Sequence, residues 1–132
     1  MNHRIAILSD IHGDTTALKA VIADARAQGA TEYWLLGDIL LPGPGREDLF
    51  ELLDAIPITA AVRGNWDDCV LEALDGEYGL EDPQEIQLLR LTQYLMEGLD
   101  PKRIDWLRSL PLVEKKEVNG IRFSLTHNLP EK

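Results

Sequence analysis

The sequence predicts an α/β fold with a mainly parallel sheet, and three features of its first half support that prediction. Short, mostly apolar runs of four or five residues recur at positions 5–8, 33–36 and 58–62. Helical patterns lie between the runs, and the connections are short, as in strand–helix–strand crossovers. The turns after the runs are evenly spaced, since Asp38 follows Asp10 by 28 residues and Asn65 follows Asp38 by 27. Each interval has the length of one strand–helix unit, so we expect the strands to lie parallel.

The first strand and the first helix follow from the residues at 5–29. The run at 5–8 is apolar throughout, which is typical of a strand buried on both faces of a sheet. Asp14 can cap the next helix, because its carboxylate can accept hydrogen bonds from the free N–H groups of the first turn. Apolar residues then recur at helical spacing up to Ala25, and Gly29 ends the helix.

The second and third strands have the same design. The run at 33–36 ends at Gly37-Asp38, and the run at 58–62 ends at Arg63-Gly64-Asn65. Between them a second helix is predicted at about 46–55, where the apolar residues fall near one side. Each strand therefore leads directly into a polar turn that contains glycine.

Beyond residue 75 the pattern changes to two helices. Residues 82–85 (Asp-Pro-Gln-Glu) form a capping box with proline at the first helical position, and Gly98 closes this helix. Asp100 caps a second helix, which must end before Pro111 because the residue before a proline disfavours helical geometry. We therefore predict a helical insertion at about 81–110 within a single domain of residues 1–132.

The last predicted element is a β-hairpin. Asn119-Gly120 is the strongest short-range hairpin signal, and strand-like segments at 112–118 and 121–126 flank it. The charged run at 114–117 is expected to form a solvated face. The final strand ends at His127.

Composition excludes several classes of protein. The 132 residues carry 13 basic and 23 acidic side chains, and the formal net charge of −10 argues against binding to nucleic acid or to an anionic membrane surface. No apolar segment is long enough for a signal peptide or a membrane span. The single cysteine, Cys69, cannot form an internal disulfide, which favours a reducing compartment. We expect a cytoplasmic protein. Cys69 is expected to be a small buried apolar residue, and a role as a metal ligand is the less favoured alternative.

Metal-ligand residues follow four strands of the predicted fold. They are Asp10 with His12, then Asp38, Asn65 and His127. In open α/β sheets, ligands bind outside the carboxyl ends of the strands, so these side chains are expected to meet at one rim. Carboxylate, imidazole and amide oxygen form a mixed ligand set that suits Mn²⁺, Fe or Zn²⁺.

Each of these residues also has a purely structural interpretation. Asp10 and Asp38 can cap the helices that follow them, and His12 can be a hydrogen-bonded histidine of the surface or the core. The neighbouring glycines can be ordinary turn residues (Gly13, Gly37, Gly64). The metal-site hypothesis therefore depends on the set, because ligand residues at four independent strand ends are hard to obtain from capping alone.

Four sequence blocks resemble, in order, the motifs of the calcineurin-like metallophosphoesterases, and the small bacterial and archaeal phosphodiesterase-like branch is the most similar. The blocks are Ser-Asp-Ile-His-Gly-Asp at 9–14, Leu-Gly-Asp at 36–38, Arg-Gly-Asn-Trp-Asp at 63–67 and Leu-Thr-His at 125–127. Together they extend over nearly the whole chain. The resemblance implies the metallophosphoesterase-type fold, a layered sheet with flanking helices.

The resemblance also implies a dinuclear metal site and an activity. Asp10 and His12 would hold the first of two divalent ions, and Asp38 would bridge both. Asn65 and His127 would hold the second ion, and Asn65 would also contact a substrate phosphate. Manganese is the expected metal, with Fe, Zn or Ni as alternatives. The implied reaction is hydrolysis of a phosphodiester or phosphomonoester bond in a small phosphorylated substrate by a metal-activated water.

Two departures from the family pattern concern the chemistry and the length. Trp66 stands where better-known members have a histidine that is thought to protonate the leaving group. No catalytic residue is therefore assigned. Without that proton donor, we expect a preference for esters with good leaving groups. Asp67 matches the acidic residue that follows, or else caps a helix. The family's final Gly-His-x-His block is absent before Lys132, so the domain is expected to be truncated at its C-terminus and the chain to be a fragment of a longer protein.

Other functional classes compete with the phosphoesterase hypothesis. A retromer subunit resembles this fold and serves as a protein-interaction scaffold. The missing final block favours a scaffold role for this chain, and the Asp10-x-His12 pair argues against it. A phosphoacceptor receiver domain fits the length, but it needs an acidic pair after the first strand and a lysine after the fifth. The predicted helices at 81–110 can cap the site and select substrates, or form the surface of a homo-oligomer.

Overall fold

The computed structural model describes residues 2–129 and contains a parallel sheet, five helices and a hairpin. The strands are β1 (Ile5–Leu8), β2 (Glu32–Leu35), β3 (Ile58–Ala61), β4 (Val113–Val118) and β5 (Ile121–Thr126). The helices are α1 (Thr15–Ala27), α2 (Glu47–Asp54), α3 (Asn65–Leu74), α4 (Pro83–Glu97) and α5 (Pro101–Ser109). Residues 1 and 130–132 of the predicted domain lie outside the described residues. The predicted α/β fold is confirmed.

The three strands of the first half form one parallel sheet in the order β1-β2-β3. The register pairs Leu8 with Leu35 and Leu35 with Ala61, so the carboxyl ends of all three strands lie level. Alternation along β2 sends Tyr33 and Leu35 into the main core with the helices, whereas Trp34 points to the opposite face. The sheet is therefore covered by helices on one face and by another element on the other.

The hairpin covers that other face. β4 and β5 pair antiparallel, and Asn119 and Gly120 both have positive φ (52° and 80°), as the predicted turn requires. Leu125 packs with Trp34 in a second, smaller buried cluster. The rings of Trp34 and Phe123 meet edge to face with their centroids 5.4 Å apart. The result is three layers, namely helices, parallel sheet and hairpin.

The prediction that β1 is buried on both faces is wrong. Ile7 is 54% exposed, although it lies in register with Trp34, which is almost fully buried. The reason is position, because β1 is an edge strand of the three-stranded sheet and the hairpin lies over β2 and β3. A continuous apolar run therefore does not by itself establish that both faces of a strand are covered.

Side chains of β4 close the outer edge of β3. The backbone N–H of Ala61 donates to a carboxylate oxygen of Glu114 (3.1 Å), and the ammonium of Lys116 donates to the carbonyl oxygen of Thr59 (3.0 Å). Lys115 and the other outward-facing residues of β4 are exposed. The expectation of a solvated face at 114–117 is thus wrong for Glu114 and Lys116, which occupy hydrogen-bonding positions that a further strand would otherwise use.

Most helix boundaries agree with the capping signals. Asp14 accepts from the N–H of Ala17 at the start of α1, and Asp82 and Asp100 each accept from an N–H two residues further on in α4 and α5. Helix α3 was not predicted, apart from the suggestion that Asp67 caps a helix. The two helices predicted at 81–110 are present, and both bury a leucine completely in the main core (Leu95 and Leu107). Their description as an insertion stays a prediction.

A helix that crosses a membrane must be both long and apolar. Among residues 2–129 no helix has that combination of length and apolar character.

Removing the two side chains that close the β3 edge should weaken the fold and promote self-association. We expect the double variant Glu114→Ala/Lys116→Ala to lose about 1 kcal/mol of unfolding free energy, because one backbone donor and one acceptor lose their partners. The free edge should also raise the dimer fraction. Urea unfolding and sedimentation velocity measure the two effects. Lys115→Ala/Glu117→Ala, which leaves the same net charge, is the control and should behave as wild type.

Candidate metal centre

Backbone hydrogen bonds join the turn after β1 to the turn after β2 beyond the ends of the strands. The N–H groups of Asp10, His12 and Gly13 donate to the carbonyl oxygens of the second turn (Gly37, Asp38 and Ile39) at 2.8–3.0 Å. Asp10, His12 and Asp38 all adopt positive φ (58°, 50° and 55°), which is unfavourable for residues other than glycine. The bonds between the turns stabilise this conformation, which turns the three side chains towards one another at the rim of the sheet.

Glycines allow the turn after β3 to approach equally closely. A side chain at Gly64 would collide with the carboxylate of Asp38, and its Cβ would lie only 2.5 Å from the Asp38 backbone nitrogen. A Cβ at Gly37 would lie 2.6 Å from the nitrogen of Gly64. Both glycines therefore serve contacts between neighbouring turns, and Gly37 also has a φ of 92°.

The two histidines of the rim are oriented in the same way. Nδ1 of His12 lies 2.8 Å from the carbonyl oxygen of Leu41, and Nδ1 of His127 lies 2.6 Å from that of Leu36. A carbonyl oxygen can only accept, so Nδ1 carries a proton in both rings. Each neutral ring then presents the lone pair of Nε2 to the rim, which is the arrangement that metal-binding histidines commonly have.

The carboxylate of Asp38 lies between these two rings and is almost completely buried, with 3% of the residue exposed. Its Oδ2 is 3.5 Å from Nε2 of His12 and 3.2 Å from Nε2 of His127. Its Oδ1 accepts a hydrogen bond from the backbone N–H of Trp66 (2.9 Å). One carboxylate oxygen thus faces two imidazole nitrogens, one on each side.

Asp10 and Asn65 complete the group on its two sides. Oδ1 of Asp10 is 3.3 Å from Nε2 of His12, and the hydroxyl of Ser9 donates to Oδ2 of Asp10 (2.6 Å). The hydrogen bond from this hydroxyl lowers the pKa of Asp10 from its ordinary value. Oδ1 of Asn65 lies 3.0 Å from Nε2 of His127.

The residues at the rim fit divalent metal ions. Lone pairs of Asp38, His127 and Asn65 face one another at hydrogen-bond distance, and such acceptors attract only when a proton or a cation lies between them. Asp10, His12 and Asp38 each offer an atom within 4.8 Å of the others. Among residues 2–129 no other group of three or more histidine, cysteine or acidic side chains meets that distance, and Cys69 does not belong to the group at the rim.

The structure brings all five predicted ligand residues together. Asp10 and Asp38 are not helix caps, because α1 is capped by Asp14 and α2 begins after Arg46. Trp66 lies beside the site, with its ring edge to face against that of His12 at 5.8 Å between centroids. The carbonyl partners of the histidines were not predictable, since they lie 29 and 91 residues away along the chain.

The sequence allows two interpretations of Asp67, namely the acidic residue of the family motif or a helix cap. It is the third residue of α3 and accepts from the N–H of Gly64, so the capping hypothesis is confirmed. The spacing Gly64 to Asp67 was the signal for this cap and for α3 itself. The Asp67 carboxylate also accepts hydrogen bonds from the turn after β2, which no sequence signal indicates.

Filling the space at Gly64 should destabilise the protein by displacing Asp38. Gly64 has an extended backbone, so Gly64→Ala tests the contact alone and should cost about 1–3 kcal/mol of unfolding free energy. Thermal and urea unfolding measure the loss. Gly79→Ala is the control, because a Cβ there would meet only one carboxylate oxygen at an ordinary 3.7 Å. Equal stability of the two variants would contradict the tight packing of the two turns.

Comparison with known proteins agrees with this geometry. The sequence model of the calcineurin-like phosphoesterases matches residues 3–131. An uncharacterized protein of Methanocaldococcus jannaschii is 30% identical over 131 residues, covering 96% of this chain and 50% of that protein. A symmetrical bis(5'-nucleosyl)-tetraphosphatase of Serratia proteamaculans is 28% identical, covering 84% of this chain and 38% of the enzyme.

A solved structure shares the fold. The crystal structure of a metallophosphoesterase from Sphaerobacter thermophilus has a TM-score of 0.62 and 31% sequence identity, covering 86% of this chain and 44% of that one. The chain spans half or less of the length of each of these proteins. The family model nevertheless matches nearly all residues of this chain. The chain therefore belongs to the calcineurin-like phosphoesterase family.

Proposed function

We propose that this chain carries the dinuclear metal site of a phosphoesterase that hydrolyses phosphodiester or phosphomonoester bonds. The observation that carries the proposal is the buried carboxylate of Asp38, which lies between the Nε2 atoms of His12 and His127 at 3.5 and 3.2 Å. Both rings are fixed through Nδ1 to backbone carbonyls. A carboxylate between two oriented imidazoles is suited to bridge two cations.

The five rim residues would divide between two ions. Asp10 and His12 would hold the first, Asn65 and His127 would hold the second, and Asp38 would be shared. The mixture of oxygen and nitrogen ligands favours manganese over magnesium or calcium, which prefer oxygen alone, and leaves Fe, Zn and Ni as alternatives. A bound pair of divalent ions would supply an activated water and neutralise charge on a phosphate ester.

The chain's own residues prepare this site in two ways. The hydrogen bond from the hydroxyl of Ser9 lowers the pKa of Asp10 and so favours the charged form of the carboxylate, which a cation attracts. Asn65 is exposed at the first turn of α3 and directs Oδ1 towards His127, which leaves its amide N–H groups free to donate to a phosphate oxygen. The N-terminal end of α3 adds a favourable dipole for an anion at the same place.

The substrate we propose is a small phosphate ester with a good leaving group. The Serratia proteamaculans relative is named as a symmetrical bis(5'-nucleosyl)-tetraphosphatase, which favours small phosphorylated molecules as substrates. The net charge of −10 disfavours a long polyanion such as nucleic acid. Trp66 packs against His12 where a proton donor would otherwise stand, so the leaving group must depart with less assistance.

Hydrolysis of bis(p-nitrophenyl) phosphate tests the proposed activity. We expect the chain to turn over this diester with Mn²⁺ and not with EDTA, and Asp38→Asn to lower kcat/KM by at least ~100-fold, because a shared ligand is lost. Asp82→Asn, a helix cap far along the chain, is the control and should keep wild-type activity. A wild-type rate for Asp38→Asn would contradict the bridging role. Absence of metal-dependent turnover in the folded chain would favour either a fragment of a longer enzyme or a non-catalytic scaffold.

The leaving-group preference is tested with two phosphate esters that differ only in the leaving group. With Mn²⁺ present, p-nitrophenyl phosphate esters should be hydrolysed faster than alkyl esters by at least ~100-fold in kcat, about the contribution of one general acid. A Trp66→His variant should narrow this ratio. Equal rates for aryl and alkyl esters with the wild-type chain would show that another group protonates the leaving oxygen.

A further inference from the structure

We propose that Asp67 is a positioning residue that holds Asp38 in its metal-binding geometry by joining the turn after β2 to the turn after β3. The inference deepens the proposed function and rests on it, since it assigns the residue that prepares the shared ligand. Asp67 itself does not face the rim. It acts on the metal site through the backbone of Asp38.

The carboxylate of Asp67 is completely buried, with 0% of the residue exposed, and it has no cation as a partner among the described residues. Three backbone N–H groups donate to it instead, each at 2.9 Å. Asp38 and Gly64 donate to Oδ2, and Ile39 donates to Oδ1. A buried carboxylate costs free energy unless its oxygens are satisfied, so these bonds fix the two turns relative to each other.

The bonds between the two turns are reciprocal. The carboxylate of Asp67 accepts from the backbone of Asp38, and the carboxylate of Asp38 accepts from the backbone N–H of Trp66 (2.9 Å). The first contact holds the main chain of Asp38 at its positive φ of 55°, and the second fixes the rotation of its side chain. Together they leave Oδ2 of Asp38 directed at the two histidines.

A helix cap alone does not require this arrangement. Asp82 and Asp100 cap α4 and α5 through a single N–H two residues further along the chain. Asp67 makes one local capping bond, back to the N–H of Gly64, and then two more bonds to residues 28 and 29 positions away. The two long-range bonds have no function in capping α3, and both reach the turn that contains Asp38.

The chemistry of the contact requires a carboxylate. Asparagine keeps one accepting oxygen, and its NH₂ group would face at least one backbone N–H, so a donor would oppose a donor. Asp67→Asn is therefore nearly the same size but loses at least one bond of the three. Because the residue is completely buried, water cannot replace the lost bond, and the effect should fall on the backbone that Asp67 holds.

The first test compares Mn²⁺ binding by the wild-type chain, Asp67→Asn and Asp82→Asn. Calorimetric titration with Mn²⁺ should give about 10–100-fold weaker binding for Asp67→Asn, because a group that orients a ligand is lost, and unchanged binding for Asp82→Asn. Circular dichroism establishes that each variant is folded. Wild-type Mn²⁺ affinity in folded Asp67→Asn would overturn the positioning role. Absence of Mn²⁺ binding by the wild-type chain would instead refute the proposed function, and this inference with it.

A second test uses the wild-type chain alone and applies even if Asp67→Asn does not fold. If Asp67 couples this turn to the metal site, Mn²⁺ must in return stabilise the bonds that Asp67 accepts. Hydrogen exchange of the amides of Asp38 and Ile39 should slow by about tenfold or more when Mn²⁺ is bound, relative to the amides of Gln84 and Lys102, which donate to the distant caps. Equal exchange rates with and without bound Mn²⁺ would overturn the proposal.

Discussion

The structure depends most on the close approach of three turns at one edge of the parallel sheet. Asp38 is at the centre of this approach, because its backbone bonds to the first turn and to Asp67, and its side chain bonds to Trp66. A carboxylate that is almost completely buried needs donors or cations around it. The turns supply one N–H donor, from Trp66, and the Nε2 atoms of His12 and His127 that face the carboxylate are acceptors. The space between these acceptors and the carboxylate therefore suits cations.

Sheet topology and glycine placement make that approach achievable. Parallel strands in register bring their carboxyl ends to the same level, so short turns can exchange backbone bonds beyond the strands. Gly64 removes the Cβ that would collide with Asp38, and Gly37 removes the one that would collide with Gly64. The unfavourable positive φ of the ligand residues is retained because the surrounding bonds determine it, as is common where a fold prepares a functional site.

Local signals in the sequence predicted much of this arrangement, and long-range contacts account for what was missed. The evenly spaced polar turns predicted the parallel order and the meeting of Asp10, Asp38 and Asn65, because both follow from the length of a strand–helix unit. The exposure of Ile7 was missed, since it depends on which strands the hairpin covers. The hydrogen bond of Glu114 was also missed, because its partner lies 53 residues away. The long-range bonds of Asp67 were missed for the same reason.

We propose that Asp38 bridges two metal ions held by this chain. Anomalous diffraction from crystals soaked in Mn²⁺ can locate such ions and their ligands. We expect two manganese peaks about 3.5–4 Å apart at the rim. One peak should lie against Asp10 and His12, the other against Asn65 and His127, and the carboxylate of Asp38 should contact both. A single peak that Asp38 does not share, or manganese bound away from these residues, would contradict the claim.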